Sequence, residues 1–333
     1  MKKNISSLLM LVIVIFVMAP GWAKAHSEGF YISSDIGLNV ASGIDTTGRS
    51  NDRASVCDEY INPMYDQVER STASDASGNA YSDYNCTGSN RGATGDWKNS
   101  FDSATGILAG AAVGYSFAKQ NPNSPLGGLR VELEYFYRQS KYDQTSDVGS
   151  ASGESEDKLA QELVQTYDRI GSMDSHNIFA NVYYDFANTS RFTPYIGIGG
   201  GLGVTNMEYG SLWARNSQAS RITTGAGLPN ASQIQNNLAS TASVEDTMLS
   251  DTLWGFQFLF GVDYAMTENM SLGLKGRYVM FDSFDSGDGS LVWDPLRGHR
   301  PNLRLDGSEP VSGAVSTNNI QFFGISLNMK YHF

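Results

Sequence analysis

The chain has 333 residues, of which 41% are hydrophobic and only 17% are charged, and its formal net charge is −12. This acidic balance disfavours nucleic acid and heparin as partners, because both need basic patches. The 35 glycines, 17 tyrosines and 16 phenylalanines are typical of membrane β-barrels, which place aromatic rings at the membrane interfaces and glycines where strands approach closely.

The first 25 residues have the pattern of an export signal. Lys2 and Lys3 form a positive start, an unbroken apolar run covers Leu8 to Met18, and Ala23-Lys24-Ala25 fits the small-x-small cleavage rule. The alternative is a transmembrane anchor, but a spanning helix needs about 20 apolar residues. We therefore predict a signal peptide over residues 1–25 and an outer-membrane β-barrel domain over residues 26–333.

Eight later segments alternate apolar and polar residues with the period of two that is typical of a half-buried strand. Each has about the length that a tilted strand needs to cross a bilayer. The segments are Phe30–Val40, Gly106–Phe117, Leu129–Arg138, His176–Phe186, Phe192–Val204, Leu253–Tyr264, Met270–Phe281 and Phe323–Phe333. Because bacterial single-chain barrels have an even number of strands, the sequence predicts an all-β fold: a closed, eight-stranded, antiparallel transmembrane β-barrel with four long outer loops.

The connections between these segments alternate in length. Three are short, Ala118–Gly128, Ala187–Arg191 and Ala265–Asn269. Four are long and polar, and they carry all of the excess negative charge of the predicted mature chain: Ser42–Asp102, Gln139–Asp174, Glu208–Asp251 and Asp282–Asn318. Outer-membrane barrels have short periplasmic turns and long extracellular loops. We therefore expect acidic loops at the surface of a Gram-negative cell and both termini in the periplasm. The Ser-, Gly- and Asn-rich composition of these loops favours mobility.

Ten charged residues fall opposite the apolar faces of the predicted strands, where they would point into the barrel. An interior of eight strands is only wide enough to be filled by side chains, so this pattern favours a paired ionic core that plugs the lumen, and a conducting pore is the alternative. The predicted lumen charge network comprises Arg130, Glu132, Glu134, Arg138, Asp185, Asp263, Lys275 and Arg277, with Asp35 and Lys330 also facing inward.

The two cysteines, Cys57 and Cys86, lie in one polar stretch of a chain that is expected to be exported. An oxidising compartment favours a disulfide that closes this loop. Their spacing supports neither a metal pair nor a redox CxxC motif.

Two stretches, Leu129–Tyr135 and Thr193–Gly201, are similar to segments of opacity-like surface antigens. With the signal peptide, the eight amphipathic strands and the terminal Tyr331-His332-Phe333, the chain resembles the small outer-membrane barrel superfamily, which includes the OmpA-type barrel and the opacity proteins. The resemblance implies a surface antigen, often an adhesin. It also implies that Tyr331 and Phe333 form the assembly signal that the barrel-assembly machinery reads.

Several motifs contain residue types that could carry catalysis or bind a ligand, but their spacing favours a structural role. Asp174, Ser175 and His176 are close in sequence, but a catalytic triad is recognised by geometry. The glycines between Gly197 and Gly203 lack the spacing of a dinucleotide site. Asp282, Asp285 and Asp288 miss the EF-hand spacing. Four tryptophans are expected in an interfacial aromatic belt or in the loop bases: Trp97, Trp213, Trp254 and Trp293. We predict no catalytic residue, no metal and no cofactor.

The sequence therefore predicts an outer-membrane surface protein, an antigen, adhesin or structural barrel whose acidic loops mediate interactions. The expected partners are outer-membrane lipids and lipopolysaccharide, the assembly machinery, and a host or environmental protein at the loops. Arg138, Lys141 and Arg215 are the cations expected near the lipid head groups. A small channel and an outer-membrane enzyme are the alternatives that this pattern leaves open.

Overall fold

The computed structural model describes residues 29–50, 95–117, 127–150, 161–186, 188–222, 231–297, 312–318 and 320–333. The predicted signal peptide and both cysteines lie outside these ranges. Among the described residues, no helix is both long enough and apolar enough to cross a membrane.

The described chain is dominated by fourteen strands, and eight of them form a closed barrel. Neighbours in the barrel follow the order β1–β4–β5–β7–β8–β9–β10–β14, and β14 returns to β1, which closes the ring. All of these pairings are antiparallel. The barrel strands are β1 (Gly29–Ala41), β4 (Ala104–Phe117), β5 (Leu129–Asp147), β7 (Leu163–Asp185), β8 (Phe192–Arg215), β9 (Ala242–Ala265), β10 (Met270–Phe281) and β14 (Gln321–His332). The predicted fold class and the pairing of the first segment with the last are confirmed.

The ends of the barrel differ. At the turn end, short connections join β7 to β8 and β9 to β10, and Phe333 donates its backbone N–H to Phe30. At the loop end, a second sheet has the order β11–β13–β2–β3–β6, and β12 pairs with β9. The additional elements are β2 (Ile44–Ser50), β3 (Gly95–Phe101), β6 (Gly149–Ser150), β11 (Leu291–Val292), β12 (Asp294–Arg297), β13 (Ser312–Thr317) and the helix α1 (Ala231–Leu238).

This loop end corrects the sequence-based boundaries. The strands β5, β7, β8 and β9 continue for many residues beyond the predicted spans, and parts of all four predicted loops are paired β-structure. The expectation of mobility from composition therefore fails for these parts. Pairing with distant strands supplies backbone hydrogen bonds that a local reading of polar, glycine-rich sequence does not reveal.

Alternation of exposed and buried side chains follows from the period of two along each strand. Large apolar side chains face outward along the wall, and polar side chains face the lumen. Near the turn end, outward aromatic rings form pairs with centroids 5.0 to 5.3 Å apart: Phe30–Tyr115, Tyr115–Phe117, Tyr184–Phe186, Phe192–Tyr264 and Tyr331–Phe333. An apolar wall with an aromatic girdle is the exterior of a membrane barrel.

The glycine run of β8 is explained by its neighbour β7. Gly197, Gly199, Gly201 and Gly203 pair with Tyr183, Asn181, Phe179 and Asn177. A Cβ atom at any of these glycines would collide with the inward side chain of its β7 partner or with the backbone beside it. The glycines therefore let four β7 side chains lie across the inner face of β8, which is how this small lumen is filled.

Candidate functional site

The lumen near the turn end contains an ionic cluster, which we define as Asp35, Glu132, Glu134, Asp185, Asp263, Arg130, Lys275, Arg277 and Lys330. All nine side chains are buried. Glu134 is its centre: its carboxylate lies 2.5 Å from Lys275 Nζ and 2.7 Å from Arg277 Nη2. Arg277 also lies 3.1 Å from Asp35. Because each cation faces at least one carboxylate, the cluster offsets much of the cost of burying charge.

The turn-side edge of the ionic cluster is built around Arg130. Its guanidinium lies 2.8 Å from Asp185 and 4.0 Å from Asp263, and Lys330 pairs with the same Asp263. The Arg130 guanidinium also stacks over the rings of Tyr183 and Tyr195, 4.6 and 5.0 Å from their centroids. Aromatic faces and carboxylates together hold this cation away from water.

Neutral side chains complete the cluster. The hydroxyls of Tyr31 and Tyr183 donate to Glu132 at 2.9 and 2.8 Å. The Asn181 amide donates to Glu134 at 2.9 Å, and the Gln257 amide donates to Asn181 at 2.7 Å. The sequence analysis did not name these four residues as site residues. Period-two alternation could have found their inward positions, but not their partners.

A layer of four phenylalanines lies next to the ionic cluster on its loop-end side, and we call it the phenylalanine layer. Each ring contacts the next, with centroids 5.4 Å apart for Phe136–Phe179, 6.0 Å for Phe179–Phe281, 6.5 Å for Phe281–Phe322 and 6.3 Å for Phe322–Phe136. The contacts form a closed circuit across the lumen. All four belong to one continuous apolar core that extends into the loop end, so the lumen is lined by apolar side chains at this level.

Arg138 differs from its expected role. It is fully buried, but it lies on the loop-end side of the phenylalanine layer, with its guanidinium carbon 4.7 Å from the centroid of Phe322. Within the described ranges it makes no ion pair, and its only hydrogen bond runs from Nε to Ser175 Oγ at 3.3 Å. The other seven predicted members are brought together, with Asp35 and Lys330. Arg138 stands apart because it lies four positions beyond Glu134 along β5.

A second buried polar group, Asp168, lies in the loop end and was missed by the sequence analysis. Trp97 Nε1 donates to Asp168 Oδ2 at 2.7 Å, and the Ser211 hydroxyl donates to Oδ1 at 2.9 Å. Burial raises the pKa of Asp168 to about 6, and these hydrogen bonds oppose that rise. The contact joins β3 of the second sheet to β7 and β8 of the barrel.

Three of the four tryptophans pack together at the loop end, which fits the expected position in the loop bases rather than in an interfacial belt. The ring of Trp97 lies 5.3 Å from that of Trp213 and 5.7 Å from that of Trp293, both edge to face. Trp254 is exposed on the outer wall. The interior cluster could not be deduced from sequence, since Trp97 is far from Trp213 and Trp293 along the chain.

Asp174, Ser175 and His176 do not form a triad. Ser175 is buried in the lumen, whereas His176 is exposed on the outer wall, where its Nδ1 lies 2.7 Å from the Tyr135 hydroxyl. Alternation along β7 places adjacent side chains on opposite sides of the wall. The serine and the histidine therefore cannot share a proton.

The remaining predicted site residues are placed as follows. Tyr331 and Phe333 face outward at the turn end, with ring centroids 5.3 Å apart. Asp285 accepts the backbone N–H of Gly287 at 2.9 Å, which is a turn contact. Within the described ranges, no group of three potential metal ligands is found. The proposed Cys57–Cys86 disulfide lies outside the described residues and stays a prediction.

The closed ring of eight antiparallel strands, the apolar wall and the filled lumen define a small β-barrel of the outer-membrane type. The family described as "Opacity family porin protein" matches residues 164–288, which is less than half of the chain. Thr193–Gly201, one of the two stretches that carried the resemblance, lies inside the match. The chain is thus similar to the opacity-type group of small outer-membrane barrels, as its sequence predicted.

Three solved structures were found to be similar over most of their length. Neisserial surface protein A is 15% identical, with 91% of this chain and 97% of that chain covered and a TM-score of 0.35. OprG from Pseudomonas aeruginosa is 15% identical, with 93% of this chain and 99% of that chain covered and a TM-score of 0.38. The attachment invasion locus protein Ail of Yersinia pestis is 8% identical, with 91% of this chain and 99% of that chain covered and a TM-score of 0.25. No curated protein matched the chain.

Proposed function

We propose that this protein is a surface barrel of the bacterial outer membrane, whose lumen is closed and whose loop end binds a partner outside the cell. The observation that carries the proposal is that the lumen is filled with side chains, whereas the loop end carries an additional ordered β-sheet. Nine ionic side chains and four phenylalanines occupy the barrel. A barrel filled in this way anchors the protein in the membrane, and the second sheet at the loop end is the part that is presented to partners outside the cell.

The proposed orientation places the loop end outside the cell and both termini in the periplasm. Two features support it: the short connections gather at one end of the barrel, and barrels of this type keep short turns in the periplasm. The excess acidic residues of the long connections would then lie at the cell surface. Lipopolysaccharide and membrane lipids surround the wall, and the assembly machinery reads Tyr331 and Phe333.

The proposed partner at the loop end is a host or environmental protein with a basic surface. The acidic excess favours a basic protein by charge complementarity and disfavours nucleic acid. The proposal assigns no catalytic role to the barrel, because Ser175 and His176 lie on opposite sides of the wall.

Orientation is tested by labelling single cysteines on intact bacteria with a membrane-impermeant maleimide, in a background with Cys57→Ser and Cys86→Ser. Asp288→Cys reports the loop end and Thr189→Cys reports the turn end; both positions are exposed. We expect labelling at Asp288→Cys only, with both sites labelled after lysis. Labelling of Thr189→Cys alone on intact cells would contradict the proposed orientation and would place the turn end outside the cell.

Binding is tested by replacing residues 44–101, which carry β2 and β3, with a short turn, and measuring adherence of expressing bacteria to cells and matrix proteins. A matched control shortens the turn 118–128 at the other end. We expect the first variant to lose adherence and the control to keep it, with heat-modifiable gel mobility reporting a folded barrel in both. Unchanged adherence of the first variant would reject the loop end as the binding surface.

A further inference from the structure

The lumen contains one cation that forms no ion pair with a described carboxylate. The other four buried basic side chains of the barrel each form an ion pair: Arg130, Lys275, Arg277 and Lys330. Arg138 forms none with the described residues, and its Nη1 and Nη2 atoms are both buried without a hydrogen-bond partner there. A buried guanidinium without a counter-charge is strongly unfavourable, because burial removes the water that would otherwise solvate its charge.

One hydroxyl contacts this guanidinium, and a second lies opposite the first in the neighbouring strand. Ser175 Oγ accepts a hydrogen bond from Arg138 Nε at 3.3 Å and another from Asn177 Nδ2 at 3.0 Å. Among the described residues, no group accepts the hydrogen of the Ser175 hydroxyl. Thr205 pairs with Ser175 across β7 and β8, is fully buried, and its hydroxyl has no partner there. Directly paired side chains have Cβ atoms about 5 Å apart, so both hydroxyls belong to one site.

Among the described residues, no carboxylate lies in position to form an ion pair with Arg138. Glu134 is four residues away on β5, which is roughly 13 Å along an extended strand, and the phenylalanine layer lies between them. Asp174 is the neighbour of Ser175, but it faces away from the lumen and accepts the amide of Asn206 at 3.2 Å. No described carboxylate therefore pairs with Arg138, and an anion from solution can supply its counter-charge.

We propose that Arg138, Ser175 and Thr205 form a binding site for a small inorganic anion of the size and charge of chloride. The site presents one cation and unpaired N–H and O–H donors. A monovalent anion matches the single positive charge and accepts several hydrogen bonds. The inference does not depend on the proposed surface role. It assigns to the apolar half of the lumen a bound ion that neutralises Arg138 and ties the stability of the barrel to the anion.

Crystals of the full-length folded protein grown in sodium bromide test the site directly. Bromide replaces chloride and scatters anomalously, so we expect an anomalous peak within about 3.5 Å of Arg138 Nη, a hydrogen-bond distance for a large anion. Density that refines as water, without anomalous signal at this position, would overturn the proposal.

A solution experiment measures urea unfolding in lipid vesicles while sodium chloride replaces sodium gluconate at constant ionic strength. Chloride at ten times its dissociation constant should lower the unfolding equilibrium constant about tenfold. Arg138→Met should abolish this dependence, whereas Lys141→Met, which removes an exposed cation from the same strand, should keep it. Dependence that is absent in the wild type, or equal in the wild type and Arg138→Met, would contradict the site.

Thr205→Val provides a second variant that changes no charge, in case Arg138→Met does not fold. It replaces a buried hydroxyl with a methyl group of similar size. We expect chloride to stabilise this variant several-fold less than it stabilises the wild type. An unchanged chloride dependence in Thr205→Val would remove Thr205 from the site and, with a missing bromide peak, would reject the site altogether.

Discussion

The two halves of the lumen fill the same barrel by opposite means. The ionic cluster holds five carboxylates and four cations, and every cation is paired with at least one carboxylate oxygen. The phenylalanine layer holds four rings that contact one another, and the guanidinium groups of Arg277 and Arg138 lie over Phe136 and Phe322. The ionic half is therefore sensitive to the loss of one charge, since this weakens the pairing of its buried partners, whereas the apolar half is more tolerant of exchanges that conserve volume.

The largest effect is expected for Glu134→Ala. This change leaves Lys275 without its nearest carboxylate and Arg277 with only Asp35. Lys275 keeps the more distant Asp35 and Glu132, at 3.6 and 3.8 Å. Removing one partner of a buried ion pair costs about 3–5 kcal/mol, and we expect a decrease of up to that size in the free energy of unfolding, measured by urea titration in lipid vesicles. A decrease below about 1 kcal/mol, the range of an exposed pair, would mean that water solvates the ionic cluster.

For Asp168→Asn, we expect the free energy of unfolding to lose part of its pH dependence. The folded state binds the Asp168 proton more tightly than the unfolded chain, because burial raises its pKa to about 6 from an unperturbed value of about 3.9. Between these values the folded state holds more protons, so wild-type stability falls as pH rises through the window, by up to about 3 kcal/mol. Above pH 6 the slope from this group ends.

The measurement is unfolding followed by tryptophan fluorescence, since Trp97 contacts Asp168. Asp168→Asn should remove the falling component between about pH 4 and pH 6. Asp246→Asn, at an exposed carboxylate near Arg169, should keep the wild-type profile. Identical profiles for the wild type and Asp168→Asn would contradict the assignment of this pH dependence to the buried carboxylate.

A smaller effect is expected for Phe322→Leu in the phenylalanine layer. Leucine is smaller than phenylalanine but keeps most of the apolar volume, so the change should cost well below the roughly 3–5 kcal/mol of a truncation to alanine, on the order of 1.5 kcal/mol. The same urea titration measures it, beside Glu134→Ala. If Phe322→Leu cost as much as Glu134→Ala, the distinction between a partner-dependent and a volume-dependent half would fail.

The smallest effect is expected for Glu208→Gln. Glu208 lies 3.3 Å from Arg169, but both side chains are more than 30% exposed. Exposed ion pairs contribute about 0–1 kcal/mol, so the unfolding free energy should hardly change. A loss comparable to that of Glu134→Ala would show that burial is not what makes the ionic cluster sensitive.

The sequence predicted the barrel because alternation with a period of two is a local signal. It placed the eight crossing segments and the side of the wall on which each charge lies. It could not place a residue along the barrel axis relative to other strands, and this is why Arg138 was grouped with Glu134. Alternation tells inside from outside, whereas the partner of a side chain depends on the register of strands that are distant in sequence.

The loop end was harder to predict for the same reason. β2 and β3 contain few apolar residues, and β2 pairs with β13 across more than 250 residues of chain. The Asp168–Trp97 contact spans 71 positions, and nothing local marks either residue as a partner. Pairings of this kind are set by closure of the barrel, which brings the extended strands together at one end.

If the ionic cluster and the phenylalanine layer together close the lumen, as we propose, the barrel conducts no ions. Planar-bilayer recording of the purified, refolded wild-type protein tests it most directly, with heat-modifiable gel mobility verifying the fold of the same sample. We predict a silent membrane at all voltages that leave the bilayer intact. Steady, reproducible conductance steps from the wild-type barrel would contradict the closed lumen and favour a channel.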